Sequence, residues 1–410
     1  MAKKFLLIAP SYACQTITGA GQRTNLIYQV LQSLGKVDIL LIGAKTPPFW
    51  QKYFPQANLI YFAERGRSVF FLGQKFPFLL PELIDKLGTI FTRRISQYQP
   101  DADVSSLVTK LIENNNYNLI ICRYLRTAAY SGLLKPSLLP VLLDLDDRDD
   151  QVLSSRLAVP NLNFLTRLVI AWHHQQMKSI MPQLLTNFQH IWVTNIKDYS
   201  MIPHGSVSIL PNIPYQFSLK SQAKIELSNA NNLTILFVGS FGHRVNREAM
   251  KRFIRYCWPR IKDTVRDANL RLVGSGQWKT LKVPINKRSG ITIVGSVENL
   301  QEEYRRCQFT IAPIFEGGGT KIKVLESLFY GRTCLVTHHI QLGYEDLQCE
   351  DSLLVAHNEK ELIYQCIRLL RDPILCEKLA IKGYNIIQKN YSFERFKSSL
   401  ETPLSRFTKG

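Results

Sequence analysis

At 410 residues the chain exceeds the ~250–300 at which a single core stops growing, so two domains are expected. A hydrophobic content of 45% with evenly scattered aromatic residues excludes a disordered chain, and no run approaches the ~20 apolar residues that span a bilayer. Lysine and arginine exceed acids by 51 − 32 = 19, so the surface attracts anions, whether nucleotide, phospholipid or nucleic acid.

The start MAKKFLLIAPSY carries an apolar run of only about five residues, too short for a signal peptide. Eight cysteines without a CxxC pair or zinc spacing read as reduced core thiols of a cytosolic protein. Phe5 to Ala9 reads as a first buried strand, SYACQTITGAGQR as a loop, Thr24 to Leu34 as a helix and Val37 to Ile42 as a second strand. Gly19, Gly21 and Arg23 in that loop invite comparison with a dinucleotide fingerprint. The match is poor: the first glycine lies about ten residues beyond the strand, Thr24 stands where the third belongs, and no acid follows the second strand. A flexible glycine loop facing a cleft suits these residues better.

From Gly66 to Ile95, Phe70, Phe71, Phe76, Phe78, Leu79 and Leu80 alternate with Arg65, Arg67, Lys75, Arg93 and Arg94. A helical insertion with a packed apolar side is the favoured reading; a surface for anionic membrane or a lipid acceptor is the other. Asn118 to Cys122 and Val141 to Leu145 are further strands, the latter running into DLDDRDD. Carboxylates just past a strand's carboxyl end sit where open α/β sheets place ligands. Asp144-Leu145-Asp146 also spells an Asp-x-Asp manganese motif. That reading is set aside because acidic turns commonly cap a following helix and no other ligand cluster is visible, so no metal is expected. Asp144, Asp146 or Asp147 instead acts as a base or holds hydroxyls.

Asn161 to Leu185 reads as a helix on which the adjacent His173 and His174 point about 100° apart, which argues against a two-histidine metal site. Gln189 to Thr194 and Ser208 to Asn212 are strands, and PYQFSLKSQAKIELSNANN lacks periodicity and reads as a linker. A second α/β unit opens at Leu233, where the strand TILFV enters a glycine loop at Gly239 and Asn246 is placed to cap a helix. Leu270 to Val273 precedes Gly274-Ser275-Gly276, and Ile291 to Val294 precedes Gly295. Recurring strand–glycine junctions fit a parallel sheet whose carboxyl edge lines a cleft.

Phe309 to Pro313 then leads into a glycine turn, Gly317, Gly318 and Gly319, where the backbone can take positive φ and a ligand can approach the amides. Thr320 is expected to cap a helix whose first turn carries Lys321 and Lys323, cations that oppose the helix dipole by roughly 0.3–1 kcal/mol each unless an anion binds. These features describe a phosphate or diphosphate site. Glu326, beside the apolar arc of Ile322, Leu325 and Phe329, is placed to accept a pair of sugar hydroxyls; the plainer alternative pairs it with Lys323. Cys334 to Thr337 and Leu353 to Ala356 complete the strands, and YSFERFKSSLETPLSRF reads as a closing helix.

Taken in order, LTILFVGSFGHRVNREAM, LRLVGSG, ITIVGSVENLQEEYRRCQFTIAP, GGGTKIKVLESLFYGRTCLVT and YSFERF resemble the retaining GT-B glycosyltransferases of glycosyltransferase family 4, the group 1 transferases, over residues 1–400. DLDD followed by a helix is similar to their envelope and exopolysaccharide branch. The resemblance implies an α/β GT-B fold, two Rossmann-like domains with parallel sheets facing a central cleft. Residues 1–213 form the acceptor side, 214–232 the linker, 233–388 the nucleotide-sugar domain, and 389–410 a helix crossing back to the first domain.

It implies nucleotide-sugar contacts at Gly19, Gly21, Arg23, Gly239, Arg244, Gly274, Gly295, Glu316, Gly317, Gly318, Gly319, Thr320, Lys321, Lys323, Val324 and Glu326. Glu326 would hold the ribose, and Gly319, Thr320 and Lys321 or Lys323 the diphosphate. Lys323 and one of Asp144, Asp146 and Asp147 are the catalytic candidates. The family's two glutamates are separated by seven residues, which puts the first at Gly318; Glu316 or backbone amides substitute for it. The implied activity is metal-independent, retaining transfer from a nucleoside diphosphate sugar, a co-substrate and not a cofactor, to a sugar, lipid-linked or small-molecule hydroxyl. Polysaccharide or glycoconjugate synthesis in the cytoplasm, or at the inner face of an anionic membrane through 66–95, is the implied setting, without nucleic acid. A nucleotide-sugar epimerase of the same fold and a nonenzymatic polyanion-binding scaffold are the competing readings.

Overall fold

A computed structural model describes residues 3–16, 18–43, 53–64, 69–71, 74–76, 98–157, 162–219, 232–281, 289–317 and 320–407. The chain divides into two compact units, one built from Met1–Leu157, Leu162–Pro211 and Phe396–Gly410, the other on Asn212–Arg395.

In the first unit the strands are β1 (Lys4–Pro10), β2 (Lys36–Gly43), β3 (Leu59–Glu64), β4 (Val69–Phe71), β5 (Gln74–Phe76), β6 (Leu119–Arg123), β7 (Val141–Asp144), β8 (His190–Val193) and β9 (Val207–Ile209). Seven of them form one sheet, in the order β3-β2-β1-β6-β7-β8-β9, and every pairing is parallel. Parallel strands are buried on both faces, which is why β1 and β2 read as nearly unbroken apolar runs and why Phe5 to Ala9 have no exposed surface. Asp38 interrupts β2 and is equally buried, but it is satisfied by the Tyr117 hydroxyl at 2.6 Å, Asn58 Nδ2 at 2.6 Å and the Lys4 ammonium at 3.0 Å.

Strand β3 has no counterpart among the expected elements. It lies at the sheet edge, where Leu59 and Glu64 are exposed and only Ala63 is buried, although its run LIYFA is as apolar as its neighbours'. Where a helical insertion was expected, β4 and β5 pair antiparallel as a short ribbon. The rest of 66–95, and with it the membrane-facing reading, lies outside the described residues. The first helix also differs: it spans Gly19–Leu34, five residues ahead of the expected Thr24, because the Thr18 hydroxyl caps it by accepting from Gly21 N at 3.0 Å. Phe164–Leu185 and Phe393–Leu404 are helical, and the Trp192 indole donates to Ser399 O at 3.3 Å.

In the second unit the strands are β10 (Thr234–Val238), β11 (Asn269–Val273), β12 (Ile291–Gly295), β13 (Phe309–Ala312), β14 (Cys334–Thr337) and β15 (Leu354–Ala356). Their order is β12-β11-β10-β13-β14-β15, all parallel. The order reverses between β10 and β13, and in doubly wound sheets the loops leaving the carboxyl ends at such a reversal form the ligand crevice. Gly383, on the helix Pro373–Asn390, lets that helix lie against Lys323–Phe329: a Cβ there would come within 2.5 Å of the Leu328 side chain and 3.0 Å of Ser352 O. All eight cysteines are free and only Cys349 is exposed. Among the described residues no helix is long and apolar enough to cross a membrane.

Candidate functional site

Two loops leave the reversal point of the second sheet. The first follows β10, turning through Gly239 to His243, with His243 N donating to Ser240 O at 3.3 Å, before the helix Arg244–Arg252. The second follows β13 and runs from Pro313 through Glu316 and Gly317 to the helix Lys323–Phe329.

Side chains interlock the two loops. Lys323 Nζ donates to Asn246 Oδ1 at 2.9 Å and lies 4.2 Å from the centre of the Phe237 ring. Arg244 Nη1 sits 2.8 Å from Glu316 Oε1. A Cβ on Gly239 would come within 2.9 Å of Lys323 Nζ, and one on Gly317, whose φ is +110°, within 3.3 Å of Val245 and 3.8 Å of Lys321 Nζ.

The result is a cluster of basic side chains. Desolvation and then the Lys321 ammonium push the Lys323 amine down to about 7. Desolvation and the cations Lys321, Lys323 and Arg244 likewise push the His243 imidazole down. Burial lowers both groups first and the neighbouring cations lower them further, so an incoming dianion would favour their charged forms. His243 was not among the expected site residues; its only signal was its place at a strand–glycine junction beside Arg244.

Glu326 is 5% exposed, and its charge raises the Tyr304 and Tyr330 phenols, which are stacked at 4.7 Å and are each raised first by burial. Gly274 and Gly295, at the ends of β11 and β12, take φ of +141° and +85°. A Cβ on Gly274 would strike Gly239 O at 2.0 Å, whereas one on Gly295 would meet nothing within 4 Å. Gly274 therefore serves close backbone packing, and Gly295 faces open space.

Several expectations for this stretch change. The helix begins at Lys323, three residues beyond Thr320, whose hydroxyl instead accepts from Asn212 Nδ2 at 3.0 Å. Ile322 occupies the cap position without a side-chain hydrogen bond. Val324 is wholly buried and its amide is spent on Lys321 O at 2.9 Å, so neither part of it faces a ligand. Asn246 does not cap its helix, because His243 precedes the first turn and the Asn246 amide reaches Ser240 O at 3.1 Å. Gly318 and Gly319 lie outside the described residues.

In the first unit, Arg23, Arg123, Asp144 and Asp146 form a buried network at the carboxyl ends of β6 and β7. Asp144 has no exposed surface; it accepts from Arg23 at 2.5 Å and from Arg123 Nε at 2.7 Å. Arg123 Nη2 reaches Asp146 at 2.7 Å, and the Tyr124 hydroxyl donates to the same carboxylate at 2.9 Å. Arg23 also donates to Leu210 O at 2.9 Å. Asp144 is thus a fixed counter-ion and not a base open to an incoming hydroxyl, and Arg23 is an internal tie and not a phosphate ligand. The Asp-x-Asp pair closes on a guanidinium. Asp147 alone of the three keeps a partly exposed side chain. Gly21 packs against the Gln15 carbonyl, which a Cβ would meet at 1.8 Å, so chain packing alone requires a glycine there. Gly19 is the first residue of its helix. Among the described residues no three His, Cys, Asp or Glu side chains are grouped to hold a metal ion.

Residues 232–372, which contain both loops, match the family model described as Glycosyl transferases group 1. No curated protein sequence matches the chain. Among solved structures, the fold is similar to sucrose-phosphate synthase from Thermosynechococcus elongatus, with a TM-score of 0.66 and 15% identity over 98% of both chains. It is also similar to Anabaena HepE in complex with UDP and glucose, at 0.62 and 12% over 98% of this chain and 100% of that one. WaaG, a glycosyltransferase involved in lipopolysaccharide biosynthesis, gives 0.57 and 12% over 99% and 100%. At these identities the structural likeness establishes the fold.

Proposed function

We propose that the chain is a glycosyltransferase, similar over residues 232–372 to the group 1 transferases, and that it moves a sugar from a nucleoside diphosphate sugar to an acceptor hydroxyl with retention at the anomeric carbon and without a metal or resident cofactor. The observation that carries this reading is the convergence of His243, Arg244, Lys321 and Lys323 on loops that leave the sheet at its reversal point. Breaking the anomeric C–O bond puts negative charge on the departing diphosphate, and preorganised cations in a partly desolvated site stabilise that charge without reorganising. Arg244, Lys321 and Lys323 supply charge that a divalent ion otherwise supplies, and His243, neutral in the free site, offers a hydrogen bond. Lys323 stands nearest the chemistry, Lys321 and His243 share the diphosphate, and Glu326 takes the ribose hydroxyls.

Similar structures support the donor class: one is HepE in complex with UDP-glucose, and another is a TarM mutant in complex with UDP and α-GlcNAc-glycerol. Asp147, the one of the three aspartates with a partly exposed side chain, is the candidate to receive the acceptor proton. Acceptor class, polysaccharide synthesis and a peripheral place at the inner membrane face belong to the same proposal.

The test is release of nucleoside diphosphate from a panel of nucleoside diphosphate sugars, with and without glycoside acceptors. Acceptor-dependent release and an α-product from an α-donor support the reading. Isomerised free donor with no acceptor dependence would instead mark an epimerase. Polyanion binding that is steeply salt-dependent, with no saturable diphosphate site, would mark a scaffold.

A further inference from the structure

Arg244 and Glu316 stand in an arrangement that the reaction must undo. Arg244, at the first position of its helix, has a side chain 44% exposed and faces the cation cluster, yet its guanidinium is spent on Glu316 at 2.8 Å. Glu316 is nearly enclosed, with a side chain 13% exposed, and only its Oε1 is engaged. Its Oε2 is buried and has no partner among the described residues. A buried carboxylate oxygen without a protein donor is suited to accept a hydroxyl from a ligand. Arg244, Lys321 and Lys323 all act on His243, which precedes Arg244 in the chain.

We propose that Arg244 exchanges partners when the donor binds, its guanidinium passing from Glu316 to the diphosphate, and that the released Glu316 carboxylate then accepts hydroxyls of the sugar being transferred. The phosphate end of the donor thereby unlocks the group that reads its sugar end. A diphosphate has two anionic groups and outcompetes one carboxylate for a part-exposed guanidinium. A free nucleoside diphosphate must break the ion pair and leaves Glu316 unsatisfied, whereas the full donor supplies hydroxyl donors in compensation. Glu316 therefore opposes the bare diphosphate and favours the sugar-bearing one. This rests on the donor reading above.

The experiment is calorimetric titration of the full chain with uridine, guanosine, adenosine and thymidine diphosphates. The tightest of them, and its glucose, galactose, mannose and N-acetylglucosamine adducts, are then titrated into wild type, Glu316→Gln, Arg244→Met and the double variant. Glu316→Gln is expected to bind the bare diphosphate roughly 2–5-fold tighter, the worth of a part-exposed ion pair, and to lose that gain with the preferred sugar adduct. In the Arg244→Met background the same change should alter diphosphate affinity by much less. Unchanged or weaker diphosphate binding by Glu316→Gln would overturn the exchange. An equal gain with and without Arg244 would also overturn it, since that is bare charge repulsion. Absence of saturable diphosphate binding in every variant would instead remove the donor reading beneath it.

Discussion

The Lys323 ammonium lies 2.9 Å from Asn246 Oδ1, an amide oxygen and not a carboxylate. That distinction sets the electrostatics of the site. A neutral acceptor orients the amine without neutralising it, so desolvation and Lys321 depress its pKa to about 7.

Diphosphate binding should therefore take up protons. With free Lys323 titrating near 7 and a bound anion favouring the charged form, uptake is near zero at pH 5.5 and approaches one at pH 8 to 9. Calorimetry in two buffers of different ionisation enthalpy measures it, and Lys323→Met should abolish most of it. The stability effect has the opposite sense. The folded pKa lies below the unfolded value of 10.5, so the native chain binds fewer protons between about 7 and 10.5 and the charged lysine costs stability fully below pH 7. Lys323→Met should accordingly melt higher than wild type at pH 6 while binding diphosphate more weakly.

The aspartates past β7 should separate in their phenotypes. Asp144 is enclosed by Arg23 and Arg123, so Asp144→Asn leaves two buried guanidinium groups undercompensated, and a loss of about 3–5 kcal/mol is expected, as for any broken buried pair. Asp147→Asn, at a partly exposed position, should leave the melting temperature nearly unchanged and lower kcat in the presence of acceptor. Denaturant melts together with turnover per folded molecule distinguish the two. A stable, inactive Asp144→Asn would return that residue to the chemistry.

Two glycines from the same sequence reading should behave differently. Gly21→Ala drives a methyl into the Gln15 carbonyl and should destabilise by about 1–3 kcal/mol, with activity lost only as the fold is lost. Gly295→Ala meets open space at φ +85°, so it should carry only backbone strain of roughly 1–2 kcal/mol. Any larger effect on donor binding would then report a ligand against that backbone. Urea melts and donor titrations of both variants make the comparison.

The two sheets were legible because parallel strands buried on both faces must be written as apolar runs such as FLLIA, DILLI and TILFV. The edge strand β3 carries the same kind of run, LIYFA, and was passed over. The ordered glycine junctions and the lysine pair after β13 were legible as a phosphate site because each is local. Thr320 and Asn246 were misplaced because tertiary partners claimed their side chains, Asn212 for one and Lys323 for the other. The Arg23–Asp144 pair spans 121 residues and turns two expected site residues into mutual counter-ions, which no local spacing encodes. His243 gains its meaning only when Lys321 and Lys323 are folded against it.

The central claim is that the basic mouth between the loops after β10 and β13 holds a diphosphate. The most direct measurement is calorimetric titration of nucleoside diphosphates into the full chain and into the Lys321→Ala/Lys323→Ala variant. The account predicts saturable one-to-one binding that weakens at least about tenfold in the variant, or 1.4 kcal/mol. Equal affinity in the two proteins, with the variant folded, would contradict it.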